Sequence, residues 1–152
     1  MGISISVSKP IVASLGSQNL EQVRAKNALN AAPKIGLGKE GGRSVAKKVP
    51  AQIVQNGFLG ALAFAIENAG TETPDAEGYV KNGYANTFVA IKKHLVSVGK
   101  DLGVCSGDLR AFLDGLCGKS SDELRMVTEE ALNYLNYLRR FAKPKKDEEG
   151  EA

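Results

Sequence analysis

The chain has one histidine, two cysteines and no tryptophan among its 152 residues. A zinc site needs about four closely spaced Cys or His ligands, and Cys105, Cys117 and His94 do not supply one. Two cysteines make no disulfide framework either, so the fold must rest on apolar burial, for which a chain of this length suffices. Period-two alternation is missing outside the short ISISV at Ile3–Val7, which is too little for a sheet. No run approaches 18 apolar residues, and the opening MGISISVSKPIVASLG lacks both the basic leader and the apolar centre of a secretory signal. A cytoplasmic protein without membrane contact is expected.

What is present is an ordinary globular balance, 43% hydrophobic and 24% charged. Twenty Lys and Arg against 17 Asp and Glu give a formal charge of +3. That figure understates the basic character, because Asp147, Glu148, Glu149 and Glu151 crowd the last six residues and the rest of the chain carries +7. Residues 1–70 hold eight Lys or Arg and three acids, whereas residues 71–152 hold twelve and fourteen. A positive N-terminal half suits polyanionic partners, nucleic acid above all.

Apolar spacing predicts helices almost throughout. LEQVRAKNALNAA, Leu20 to Ala32, is rich in helix formers and should stop at Pro33. A second helix runs from Gly42 to about Ala69. Its apolar second half should make it the buried centre, with a kink at Pro50 or a break just before it. Asn56-Gly57 suits close packing by a neighbouring helix. Tyr84, Phe88, Ile91, Leu95 and Val98 form a buried seam on the third helix. Ser106 can cap a fourth, with Leu109, Phe112, Leu113 and Leu116 inward and Gly118 as the stop. Ser120 and Glu123 form a capping box for the fifth, whose inner stripe is Leu124, Val127, Ala131, Tyr134, Leu138 and Phe141. The expectation is an all-α, single-domain bundle of about five helices over residues 1–143, with residues 1–17 loosely packed and 144–152 a charged, flexible tail.

Two stretches imitate catalytic motifs. GLGKEG, Gly36 to Gly41, fits the GxGxxG outline of a dinucleotide loop, but that loop works between a strand and a helix of a βαβ unit, and here a helix precedes it. A phosphate could still meet free amides where this loop enters the second helix. GVCSG, Gly103 to Gly107, has the outline of a nucleophile elbow around Cys105, again without a strand or a placed base. His94 sits inside an amphipathic helix and reads as structural. No catalytic, cofactor or metal residue is assigned, no small-molecule substrate is expected, and the protein is expected not to be an enzyme.

The remaining signal is the basic set: Lys34, Lys39, Arg43, Lys47 and Lys48, then Arg139, Arg140, Lys143, Lys145 and Lys146. With Gln52, Gln55, Asn133 and Asn136 nearby, such residues would hold phosphates and sugar hydroxyls without reading bases, because aromatic stacking platforms are not evident. RSVAKKVPAQIVQNGFLGALAFAIENAG (Arg43–Gly70) resembles the signature region of the small subunit of the type III-B CRISPR effector, the Cmr complex. LRMVTEEALNYLNYLRRFAK (Leu124–Lys143) resembles that family's last helix, and VRAKNALN (Val23–Asn30) its first. The resemblance implies an all-helical, non-catalytic subunit that stacks with copies of itself as a filament in the effector, beside the subunits holding the guide RNA, and helps bind target RNA in antiviral defence. It implies RNA contacts at Arg43, Lys47, Lys48, Arg139, Arg140 and Lys143, with Arg24 and Lys26 as further candidates. A helical interaction module that meets acidic protein faces and never touches RNA is the competing reading.

Overall fold

Asn19 and Ser120 each open a helix with a reciprocal pair of hydrogen bonds. In the computed structural model, which describes residues 18–143, the Asn19 side chain accepts from the Gln22 amide at 2.8 Å while Gln22 accepts from the Asn19 amide at 2.8 Å. Ser120 and Glu123 repeat the arrangement at 3.1 and 3.0 Å. Each box satisfies amides that a helix start would otherwise leave bare. These caps begin α1 (Leu20–Ile35) and α5 (Ser121–Phe141), and between them lie α2 (Gly42–Ala69), α3 (Gly83–Ser97) and α4 (Leu109–Cys117). Among the described residues there is no strand, so the all-α architecture is the expected one. The expectations for residues 1–17 and 144–152 lie outside the described residues.

Several boundaries differ from the sequence reading. Pro33 does not stop α1, which continues to Ile35. A proline's fixed φ is itself helical, and this one stands in the last turn, where Gly36 and Leu37 fold back onto the Pro33 and Lys34 carbonyls. Asp108, not Ser106, caps α4, accepting from the Ala111 amide at 2.9 Å. Pro50 stays inside α2, and the break falls instead at Gly57, with φ 84° and ψ 161°. Asn56 and Gly57 are exposed, and a Cβ at Gly57 would meet nothing within 4 Å. The pair therefore bends the helix and does not seat a neighbour. Gly57→Ala should cost about 1–2 kcal/mol through backbone strain alone, read from the shift of a urea unfolding midpoint.

The burial of α2 differs from the sequence reading in one respect. Gly83 to Ile91 of α3 are buried without interruption, and α2 and α3 each pack against all four other helices, so α2 is central as expected but shares that place with α3. The helix expected at the centre, α2, buries Val45, Val49, Ile53, Phe58 and Leu62 on one face, while Val54 is 73% and Phe64 39% exposed. Its outward positions include Gly60 and Ala63, whose small apolar surface costs little in water. By length and composition α2 is apolar enough to cross a bilayer. Its inner face is nevertheless committed to protein: Phe58 meets Phe88 and Phe112 edge to face at 5.4 and 6.0 Å.

Asn86 ties the connections to this core. Its buried amide donates to the Lys34 and Val80 carbonyls at 2.7 and 2.6 Å and accepts from the Val80 amide at 2.8 Å. One side chain thus fixes the end of α1 and the segment leading into α3.

Candidate nucleic-acid interface

The first turn of α2 meets the chain just beyond the end of α5. The Arg43 amide donates to the Lys143 carbonyl at 2.8 Å, so the two basic stretches, remote in sequence, share one end of the bundle. Arg43 and Lys47 are exposed and one helical turn apart, a rise of about 6 Å. Arg139 and Arg140 occupy the last turn of α5, and both are exposed, as is Lys143. Among the described residues none of these five cations has a carboxylate partner. Gln55, Asn133 and Asn136 are exposed as well, whereas Gln52 is half-buried.

Lys48 differs from its neighbours. Its ammonium donates to Glu40 at 2.8 Å, and the same carboxylate accepts from the Tyr84 hydroxyl at 2.9 Å and from Ser44 at 3.4 Å. The Lys48 hydrogen bond, followed by that of Tyr84, holds the Glu40 carboxyl below the usual carboxylate range. Charge balance of this kind leaves Lys48 less to offer a phosphate than Arg43 or Lys47. Lys34 is similarly occupied, 3.8 Å from Glu77 and 5.5 Å above the Tyr79 ring.

Arg24 does not belong with the surface cations. Its Nε and Nη2 donate to the two oxygens of Glu130 at 2.8 and 2.7 Å, and its side chain is only 17% exposed. Glu130, 1% exposed, also bonds His94 Nε2 at 2.8 Å and accepts from Lys100 at 3.2 Å. Burial pushes the Glu130 carboxyl upward, but the hydrogen bonds from Arg24, His94 and Lys100 outweigh it and hold the group well below the usual range. His94 stacks on Tyr134 with ring centroids 4.3 Å apart, and its Nδ1 lies 2.9 Å from the Asn27 amide. Its role is structural, as its helical position implies. Lys26, by contrast, is exposed on α1.

Sequence reasoning missed this cluster, although a signal existed. Glu130 lies three residues after Val127 and four before Tyr134, on the stripe that α5 buries. A carboxylate in an apolar register requires buried partners, and Arg24 and His94 stand beside buried residues of α1 and α3 in the same way.

The motif mimics find little support in their surroundings. GLGKEG joins two helices, and Gly38 is required there because φ is 123° and a Cβ would lie 3.1 Å from the Lys81 carbonyl. At the start of α2, the Arg43 amide that a phosphate could have used is taken by Lys143. Burial, and then Asp101, push the Cys105 thiol up to about 11, which disfavours the nucleophilic thiolate. Histidine cannot assist it, since His94 is committed to Glu130. No group of three or more potential metal ligands occurs among the described residues.

Neither a curated protein nor a solved structure matches the chain. The model of the family described as CRISPR-associated protein (Cas_Cmr5) matches residues 20–144. That span begins with α1 and passes the end of α5, so it takes in all five helices, the basic start of α2 and Arg139, Arg140 and Lys143. The chain belongs to the CRISPR-associated Cmr5 family.

Proposed function

We propose that the protein is a non-catalytic small subunit of a type III-B CRISPR (Cmr) effector complex, stacking with copies of itself beside the guide RNA and its backbone subunits. In this reading it helps hold target RNA where α2 begins and α5 ends. The observation that supports it is the Arg43–Lys143 backbone hydrogen bond, which brings two basic stretches to one end of the bundle, where their cations have no carboxylate partner among the described residues. Arg43, Lys47, Arg139, Arg140 and Lys143 would contact phosphates, and Gln55, Asn133 and Asn136 sugar hydroxyls. Such contacts position RNA without reading its sequence.

Binding of a single-stranded RNA oligonucleotide, measured as affinity against salt, tests this. Replacing Arg43, Lys47 and Lys143 together by Ala should reduce the slope of log affinity against log salt by about 2, at roughly 0.7 per lost phosphate contact. Lys48→Ala should change it much less, because Glu40 already balances that charge. An unchanged slope in the triple variant would remove the RNA surface from this position. Crosslinking in the RNA-bound complex separates the alternatives: protein adducts alone, with no RNA adduct at α2, would leave only the interaction module.

A further inference from the structure

Ala85, Val89, Lys92 and Val96 recur along α3 at the spacing of neighbours on one side of a helix, and together they line a cavity of about 700 Å³. Ile66 at the end of α2, Val80 before α3 and residues 105–110 form its other walls. That volume is in the range of small-molecule sites, whose usual lining is apolar with a few polar groups. Lys92 interrupts the apolar stripe. Its ammonium is half-buried and donates to the Gly107 carbonyl. Burial is the main cause that holds this ammonium below the usual lysine range. A neutral carbonyl does not balance a partly desolvated charge, and two further N–H donors remain to Lys92. Among the described residues neither Lys92 nor the exposed Arg110 at the rim has a carboxylate partner. The acids of the lining are engaged elsewhere. Glu72 accepts from the Lys81 amide at 3.1 Å, Asp75 from the Tyr79 amide at 3.0 Å and Asp108 from the Ala111 amide at 2.9 Å, while Glu77 lies 3.8 Å from Lys34. Lys93 is drawn aside, 5.4 Å above the Tyr79 ring.

We propose that this cavity binds a small amphiphilic carboxylate, whose acid group accepts from Lys92 beside Arg110 and whose apolar body lies along Ile66, Val80, Val89 and Val96. Such a ligand supplies the missing countercharge and covers Val96, which is 41% exposed. The cavity surrounds the opposite end of α2 from Arg43, so the inference does not rest on the RNA-binding role.

Calorimetric titration of the full chain with decanoate tests the site. One molecule per chain should bind with a Kd of about 0.1 mM, in keeping with what about a dozen heavy atoms supply. Cys105 lines the cavity, whereas Cys117 is exposed outside it. Decanoate at about ten times its Kd should therefore slow maleimide labelling of Cys105 about tenfold and leave that of Cys117 unchanged. Lys92→Met keeps the aliphatic stem but removes the charge, and should weaken decanoate about tenfold, the worth of one charge-assisted hydrogen bond. Val96→Asp, at an exposed position, places a carboxylate in the path of the ligand and should weaken it at least as much. Decyltrimethylammonium, with the same body and the opposite charge, should bind more weakly than decanoate. No binding of decanoate, or binding that leaves Cys105 labelling unchanged, would overturn the proposal. So would an unchanged affinity in Lys92→Met, or decyltrimethylammonium binding as tightly as decanoate, since the acids of the lining would then set the preference.

Discussion

Glu130→Gln is expected to destabilise the fold by about 3–5 kcal/mol, the usual cost of removing one partner from a buried ionic cluster. The substitution keeps the shape but withdraws the charge that Arg24 and Lys100 face, leaving those cations beside a neutral amide in a site where residue 130 is 1% exposed. The amide also cannot accept on both oxygen positions, so the paired bonds from Arg24 at 2.8 and 2.7 Å cannot both survive. Thermal unfolding should show the loss as a fall in Tm on the order of 10 °C. The sign of the pH dependence follows from the depressed Glu130 carboxyl. Folding favours its charged form, so its contribution is complete above the unfolded carboxylate pKa of about 4.3 and is lost as pH falls towards the lower folded value. The variant should therefore lose part of the acid sensitivity of the parent below about pH 4. Arg24→Ala should also destabilise, without changing the salt slope of RNA binding. A changed slope at unchanged stability would instead place Arg24 in the proposed RNA surface.

The helices were legible because their signals are local. The Ser120–Glu123 box, the α3 seam and the α5 stripe each depend on residues within a few turns, and all three stand as read. The misread positions depend on a neighbour. Pro50 carries the stronger local signal for a break, yet the chain bends at Gly57, the residue that can take φ 84°. Ser106 and Asp108 are both good caps, and only the path of the incoming segment selects Asp108. The apolar second half of α2 predicts burial on all sides, but only Phe58, Ala61, Leu62 and Ala65 are buried there, a choice of face that depends on neighbours the helix itself does not encode. The basic residues were legible as types. Sequence does not reveal that Lys48 is balanced by Glu40, that Arg24 belongs to Glu130, or that Lys143 lies at the start of α2.

That junction yields the second large effect: Gly83→Ala should destabilise the protein by about 2–3 kcal/mol, although alanine is the better helix former. Gly83 is the first residue of α3, and a Cβ there would lie 2.7 Å from the Ile35 carbonyl oxygen and 2.9 Å from Val45 Cγ2. Neither neighbour can retreat cheaply. Ile35 is 0% and Val45 1% exposed, and Asn86 holds the adjacent Lys34 carbonyl at 2.7 Å. Relief therefore requires α3 to move off the α1–α2 corner. Val45 lies between Arg43 and Lys47 in sequence, so the same movement disturbs the cationic start of α2, and under the proposed RNA-binding role RNA affinity should fall without loss of any charge. Gly118→Ala is the matched control, because φ there is −91° and its Cβ would come no nearer than 3.7 Å to the Gly115 carbonyl. Urea unfolding should find that variant within about 0.5 kcal/mol of the parent. Equal midpoints for the two variants would show that α3 tolerates a side chain at its entry and that the close approach at Gly83 does not constrain the bundle.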